Sequence, residues 1–187
     1  MSCSLTSGLP LPCKNFMPGV RRMFIANFFT GGTNTAENVT YTLNATNQIT
    51  GLTINTGKFY TFDLTKEGSD FSEVPHASAT NGTTSFETTI NLYLSEYSTA
   101  VRNQMVLLAN TKLLVIAEDR NGQYWLIGTD GTGTSPSSSN GVDMMDSTSG
   151  PGKAFGDTNG YSLVFSASER VPNLEVAASV IPGIISI

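Results

Sequence analysis

In residues 84–94, Phe86, Thr88, Ile90, Leu92 and Leu94 fall at every second position. Only an extended strand gathers such a set on one face, because its successive side chains point to opposite sides. Eleven residues is long for a strand, so part of it is expected to project beyond the body of the fold. Shorter runs of the same kind fill the chain. Residues 22–26 are β-like, and Val39–Leu43 and Ile49–Ile54 alternate across Asn44-Ala45-Thr46-Asn47, predicting a hairpin. Residues 59–64 carry Tyr60, Phe62 and Leu64 on one face, and residues 70–77 contain Pro75, which assigns them to an edge or bulged strand. Residues 113–117 are apolar without alternation and predict a central strand covered on both faces. Asp119-Arg120-Asn121-Gly122 then turns the chain back into residues 123–127. Asp157-Thr158-Asn159-Gly160 makes a second such turn before the last clear strand, 161–167.

One segment reads as a helix. Ser95 is a suitable N-cap and Glu96 suits the first turn. Tyr97, Val101, Met105 and Leu108 recur at spacings of four, four and three, a single apolar stripe, and Asn110 can end it. The chain is therefore expected to be mainly β, an antiparallel β-sandwich or β-barrel with one flanking α-helix (about 95–110) and long loop and terminal arms.

At 187 residues this makes one domain. Residues 1–19 form a Gly- and Pro-bearing N-terminal arm, and 20–170 form the β domain. Within it, residues 129–157 are rich in Gly, Ser, Thr and Pro and too long for a plain connection, which predicts an inserted flexible loop. The tail, 171–187, is nearly uncharged and ends in Ile184-Ile185-Ser186-Ile187, an apolar terminus that needs something to dock on.

Charged residues make up 13% of the chain, against about 25% in an ordinary soluble domain. Their place is taken by 20 Ser, 24 Thr, 15 Asn and 18 Gly. A free monomer usually stays soluble through mixed surface charge, so a surface this neutral implies coverage by other protein. The net charge of −5, with Arg21-Arg22 the densest cationic cluster, argues against a protein that grips nucleic-acid phosphates. No apolar run is long enough to span a membrane.

The residues that carry chemistry are scarce. His76 is the single histidine and lies beside Pro75 with no adjacent nucleophile. Cys3 and Cys13 are too few for a disulfide scaffold or a zinc site. Gly150-Pro151-Gly152-Lys153-Ala154 fails as a phosphate loop, since Ala154 stands where Ser or Thr should bind magnesium. The two D-x-N-G turns lack the twelve-residue calcium pattern. No catalytic, cofactor-binding or metal-binding residue is nominated.

A long strand, a helix and a buried strand are followed by the hairpin Glu118-Asp119-Arg120-Asn121-Gly122-Gln123-Tyr124-Trp125-Leu126-Ile127-Gly128. A variable loop then leads into Gly156-Asp157-Thr158-Asn159-Gly160-Tyr161-Ser162-Leu163-Val164-Phe165. This order, over about residues 84–170, resembles structural proteins of tailed bacteriophages of the tail tube or tail-ring kind. It is similar to those of phages that infect Bacteroides-like gut bacteria. The resemblance implies a ring, typically of six subunits, stacked into a tube through which DNA leaves the capsid. It implies a non-enzymatic virion protein, assembled in the host cytoplasm, that binds no cofactor. Its partners would be copies of itself and other tail or neck proteins, with no membrane and with DNA passing the lumen without specific binding. Met144 and Met145, in the middle of the 129–157 loop, and Ile184 and Ile185, in the tail, are the expected assembly anchors. A head–tail connector or neck ring is the near alternative. A carbohydrate-binding β-sandwich with Trp125 as its platform is the alternative from another class.

Overall fold

The computed structural model describes residue 8 and residues 16–30, 37–133 and 139–186. Its elements run β1 (Val20–Asn27), β2 (Val39–Leu43), β3 (Ile49–Ile54), β4 (Phe59–Asp63), β5 (Asp70–Ser78) and β6 (Thr83–Ser95). The helix α1 (Thr99–Asn110) follows, then β7 (Leu113–Asp119), β8 (Tyr124–Ile127), β9 (Asp143–Gly150), β10 (Gly160–Glu169) and β11 (Leu174–Val176). A short helix, α2 (Ile181–Ile184), and a two-residue strand, β12 (Ile185–Ser186), complete the order. The expected architecture, mainly β with one substantial helix, is the one that forms. Cys3 and Cys13 lie outside the described residues.

Eight strands make a curled sheet in the order β12-β4-β1-β7-β8-β11-β3-β2, and four make a second sheet, β5-β6-β10-β9. The antiparallel neighbours β1 and β7 carry apolar side chains on both faces. On one face Met23, Ile25, Val115 and Ala117 belong to a core shared with Ile90, Leu92, Leu163 and Phe165 of the smaller sheet. On the other, Phe24, Ala26, Leu114 and Ile116 meet Ile49, Phe59, Leu126 and Val176, around which the larger sheet curls. The stripe of α1 covers the first core through Val101, Met105 and Leu108. Tyr97, at the head of the stripe, stacks on Tyr161 with ring centroids 5.2 Å apart.

Three expectations are corrected. The helix starts after Ser95, because β6 keeps pairing with β10 as far as Ser95 opposite Gly160. Glu96 then takes a positive φ of 90°, and Ser98 is the N-cap, its hydroxyl accepting from the Val101 N–H at 3.4 Å. The loop expected over 129–157 contains β9, which pairs antiparallel with β10. An edge strand facing solvent needs backbone partners but no apolar alternation, so its Ser/Thr-rich text reads as loop. The tail is built into the larger sheet. β11 is inserted between β8 and β3, and β12 pairs with β4. Leu174, Val176, Ile181 and Ile184 all enter the second core.

Ile184→Ala is therefore expected to lower unfolding stability by about 2–4 kcal/mol, the usual cost of a cavity in a closed core. Met145→Ala, at a site that is 68% exposed, should stay within about 0.5 kcal/mol of the parent. Urea unfolding of the two variants checks this, and equal losses would contradict the placement of the tail.

Candidate assembly surface

The smaller sheet ends in two edges, β5 and β9, each paired on one side only. Its four strands contain six acidic residues and no lysine or arginine. The inward side chains of β6 and β10 are Ile90, Leu92, Leu163 and Phe165, so alternation turns Thr89, Asn91, Ser162, Val164 and Ser166 outward. Hydroxyls and amides dominate this outer face, with Asp70, Glu87, Asp143 and Asp146 as the charges its strands supply, Asp143 being paired with Lys112 at 3.5 Å.

At one end of the sheet the β5–β6 hairpin overhangs the core. Residues 74–87 are exposed or half-buried on both faces, the projection expected of the long strand. His76 sits on this arm with its Nε2 at 3.1 Å from Glu87 Oε2, both side chains in solvent. At the other end β9 and β10 are joined by a built turn. The Asp157 N–H donates to the Ala154 carbonyl at 3.0 Å, and the Asp157 carboxylate accepts from the Lys153 and Ala154 N–H groups at 2.8 and 2.7 Å. Those two backbone donors hold the Asp157 carboxyl below its ordinary pKa, so it stays charged. The turn displays Phe155 wholly in solvent. Gly160 follows it where a Cβ would collide with the Leu94 carbonyl, so the close pairing of β10 with β6 requires glycine.

Two clefts flank the sheet. The larger, about 530 Å³, lies beneath this turn and is lined by Tyr93, Thr148, Ser149, Thr158 and Ser162 among glycines. Its one carboxylate, Asp157, is committed to the backbone. The smaller, about 190 Å³, lies at the start of β5 between Met17, Val20 and Phe71, with Asp70, Asp119 and Asn121. Asn121 fixes its wall by accepting from the Met17 N–H at 2.8 Å and donating to the Met17 carbonyl at 3.0 Å. The Asp119 carboxylate in turn holds the hairpin, accepting from the Asn121 and Gln123 N–H groups at 2.8 Å each.

The expected anchors separate. Met145 is the extra residue of a β-bulge, since Asp146 pairs with Val164 and Met144 with Phe165. Met144 packs inward on the first core, and Met145 stands in solvent. Ile184 is buried and Ile185 packs against the second core, so both are engaged within their own chain. Trp125 is half-buried on β8 rather than set on an open platform. The Arg21-Arg22 cluster is spent on Glu118, which is 2% exposed, at 3.1 and 3.0 Å. Sequence reading missed Phe155 and the smaller cleft. An isolated Phe in a Gly-rich turn was a readable signal, whereas the cleft joins three distant segments. Among the described residues no His, Cys, Asp and Glu side chains group as a metal site would need, and no helix is long and apolar enough to cross a membrane.

One buried acid holds β9 in place. Glu169, 6% exposed, accepts through Oε1 from the Asn140 and Gly141 N–H groups at 2.8 and 3.1 Å. Burial raises its pKa from 4.5 to about 7, the two backbone donors opposing and the charge of Asp130 adding. The folded chain thus holds this proton more tightly than the unfolded one. Its contribution is most favourable below about pH 4.5 and is lost as pH rises toward 7, by at most about 3 kcal/mol. Glu169→Gln keeps the acceptor and removes the charge. It should flatten the fall in urea midpoint between pH 5 and pH 8, and an unchanged slope would assign the effect to other groups. Comparison of the chain with protein-family models, with curated proteins and with solved structures gives no match.

Proposed function

We propose that this chain is a non-enzymatic structural subunit of a phage virion, a tail tube or tail-ring protein that closes a ring through the edges of its four-stranded sheet. The observation that carries the reading is the direction of those edges. β6 is antiparallel to β5 and β10, and β10 to β9, so β5 and β9 run in opposite senses. A neighbouring copy rotated about a common axis lays its β5 antiparallel along β9 and continues the sheet. Such a contact joins different surfaces of the two copies, and repeated it closes into a ring where the rotation per copy divides a full turn.

The register is also favourable. Pro75 interrupts β5 and the Met145 bulge interrupts β9, which leaves residues 70–74 and 146–150 as the matching open stretches. Set Gly150 beside Asp70 and the inward residues Ser149 and Ser147 meet inward Phe71 and Glu73. The outward Thr148 and Asp146 meet outward Ser72 and Val74. No like charges stand opposite each other. The face without lysine or arginine then provides a lining that does not trap DNA phosphates.

Full-length protein is expected to form rings or tubes of constant diameter in negative-stain electron microscopy. The double variant Ser147→Lys with Ser149→Lys puts two charges at the pairing seam in positions exposed in the monomer. It should stay monomeric with an unchanged circular dichroism spectrum. Rings formed equally well by this variant would rule out pairing through β9.

A further inference from the structure

Phe155 stands wholly in solvent at the turn between β9 and β10. Its turn is held by three hydrogen bonds at Asp157, one donated by its N–H and two accepted by its carboxylate, so the residue is carried past the end of β9 on a built turn rather than a loose loop. Across the sheet, the smaller cleft opens beside Asp70 and Phe71, at the start of β5. We propose that Phe155 of one copy inserts into this cleft of the next copy in the ring.

This inference rests on the ring reading and names its lateral contact. Pairing residues 146–150 of one copy with 70–74 of the next puts Gly150 beside Asp70, and the turn that follows Gly150 then overhangs the cleft. The fit is one of size and charge. A cavity of about 150 Å³ is enough to accept benzene, and this one holds about 190 Å³ with Met17, Val20 and Phe71 as its apolar walls. Lys153, two residues from the knob, meets a cleft lined by Asp70 and Asp119, with the Arg120 side chain lying over Gly19 at its rim. Asp119 bonds its own hairpin through its carboxylate, and Asp70 spends one oxygen on the Asn91 side chain at 3.1 Å. Knob and cleft lie on opposite flanks of one molecule, so each copy offers both, and no copy can satisfy its own.

The test uses the full chain, read by sedimentation velocity over a concentration series. Phe155→Ser alters a side chain that is free of the core. It should leave the circular dichroism spectrum unchanged and raise the concentration needed for half-assembly by about tenfold or more, the scale of one buried aromatic. Lys153→Glu and Asp70→Lys should each weaken assembly, and the double variant Asp70→Lys with Lys153→Glu should recover it. With p-benzoylphenylalanine at position 155, a mixture of ¹⁵N-labelled and unlabelled copies should yield cross-links between copies to residues 17–20 or 70–71. A parent that assembles while Phe155→Ser assembles at the same concentration overturns the knob and leaves the ring standing. A parent that stays monomeric at every concentration overturns both.

Discussion

Along the paired strands Val20–Asn27 and Leu113–Asp119, alternate side chains enter two different cores. Met23, Ile25 and Val115 face the smaller sheet, while Phe24, Leu114 and Ile116 face the inside of the curl. This one ladder is a wall shared by both cores, so neither sheet can be removed without stripping a face of the other. The cation pair at its end follows from the same pairing. Arg22 lies opposite Glu118 in register, and the buried carboxylate would be costly to leave alone among apolar neighbours. A chain with ten lysines and arginines in total has placed two of them on that single acid.

Because the shared wall fills the centre, the periphery has to close the structure, and it does so with very short elements. β11 supplies three residues, yet it is the link between β8 and β3 in the larger sheet. Ile181 and Ile184 then cap the curl from within. On the smaller sheet the closing element is β9, an edge strand tethered by side chains. Glu169 and the Lys112 ammonium, which donates to the Asn140 carbonyl at 2.7 Å, hold the approach to it.

What could be read from the chain followed from burial. Strands with an apolar face, such as Thr83–Ser95, or with two, such as Leu113–Asp119, announce themselves because water exclusion dictates their residues. The D-x-N-G turn at Asp119 was legible for a local reason, since its carboxylate bonds forward to Asn121 and Gln123. The same text at Asp157 does something different, bonding backward to Lys153 and Ala154. Nothing in four residues distinguishes the two. β9 was illegible because a solvent-facing edge is specified by backbone pairing, and β11 because three residues are too few for any period. Of the expected contact residues, Met145 lies where a partner can reach it, whereas the apolar tail that reads as an arm is a piece of core.

A protein that pairs with its own copies must keep an edge open and still avoid endless accretion. Under the ring reading, the two open edges of the smaller sheet limit how much backbone each contact can pair. Pro75 removes an N–H from β5, and the bulge at Met145 breaks the run of β9, so each edge offers only about five residues of regular backbone. Five pairs are a weak contact alone, comparable to a marginal hairpin. Under the ring reading, edge pairing therefore selects direction and register, and a second contact outside the sheet has to supply affinity. That requirement is independent of Phe155 and of the cleft beside Phe71. It arises from the shortness of the open edges, and under that reading it gives a reason for a chain with so few exposed aromatics to carry one of them on a built turn in water.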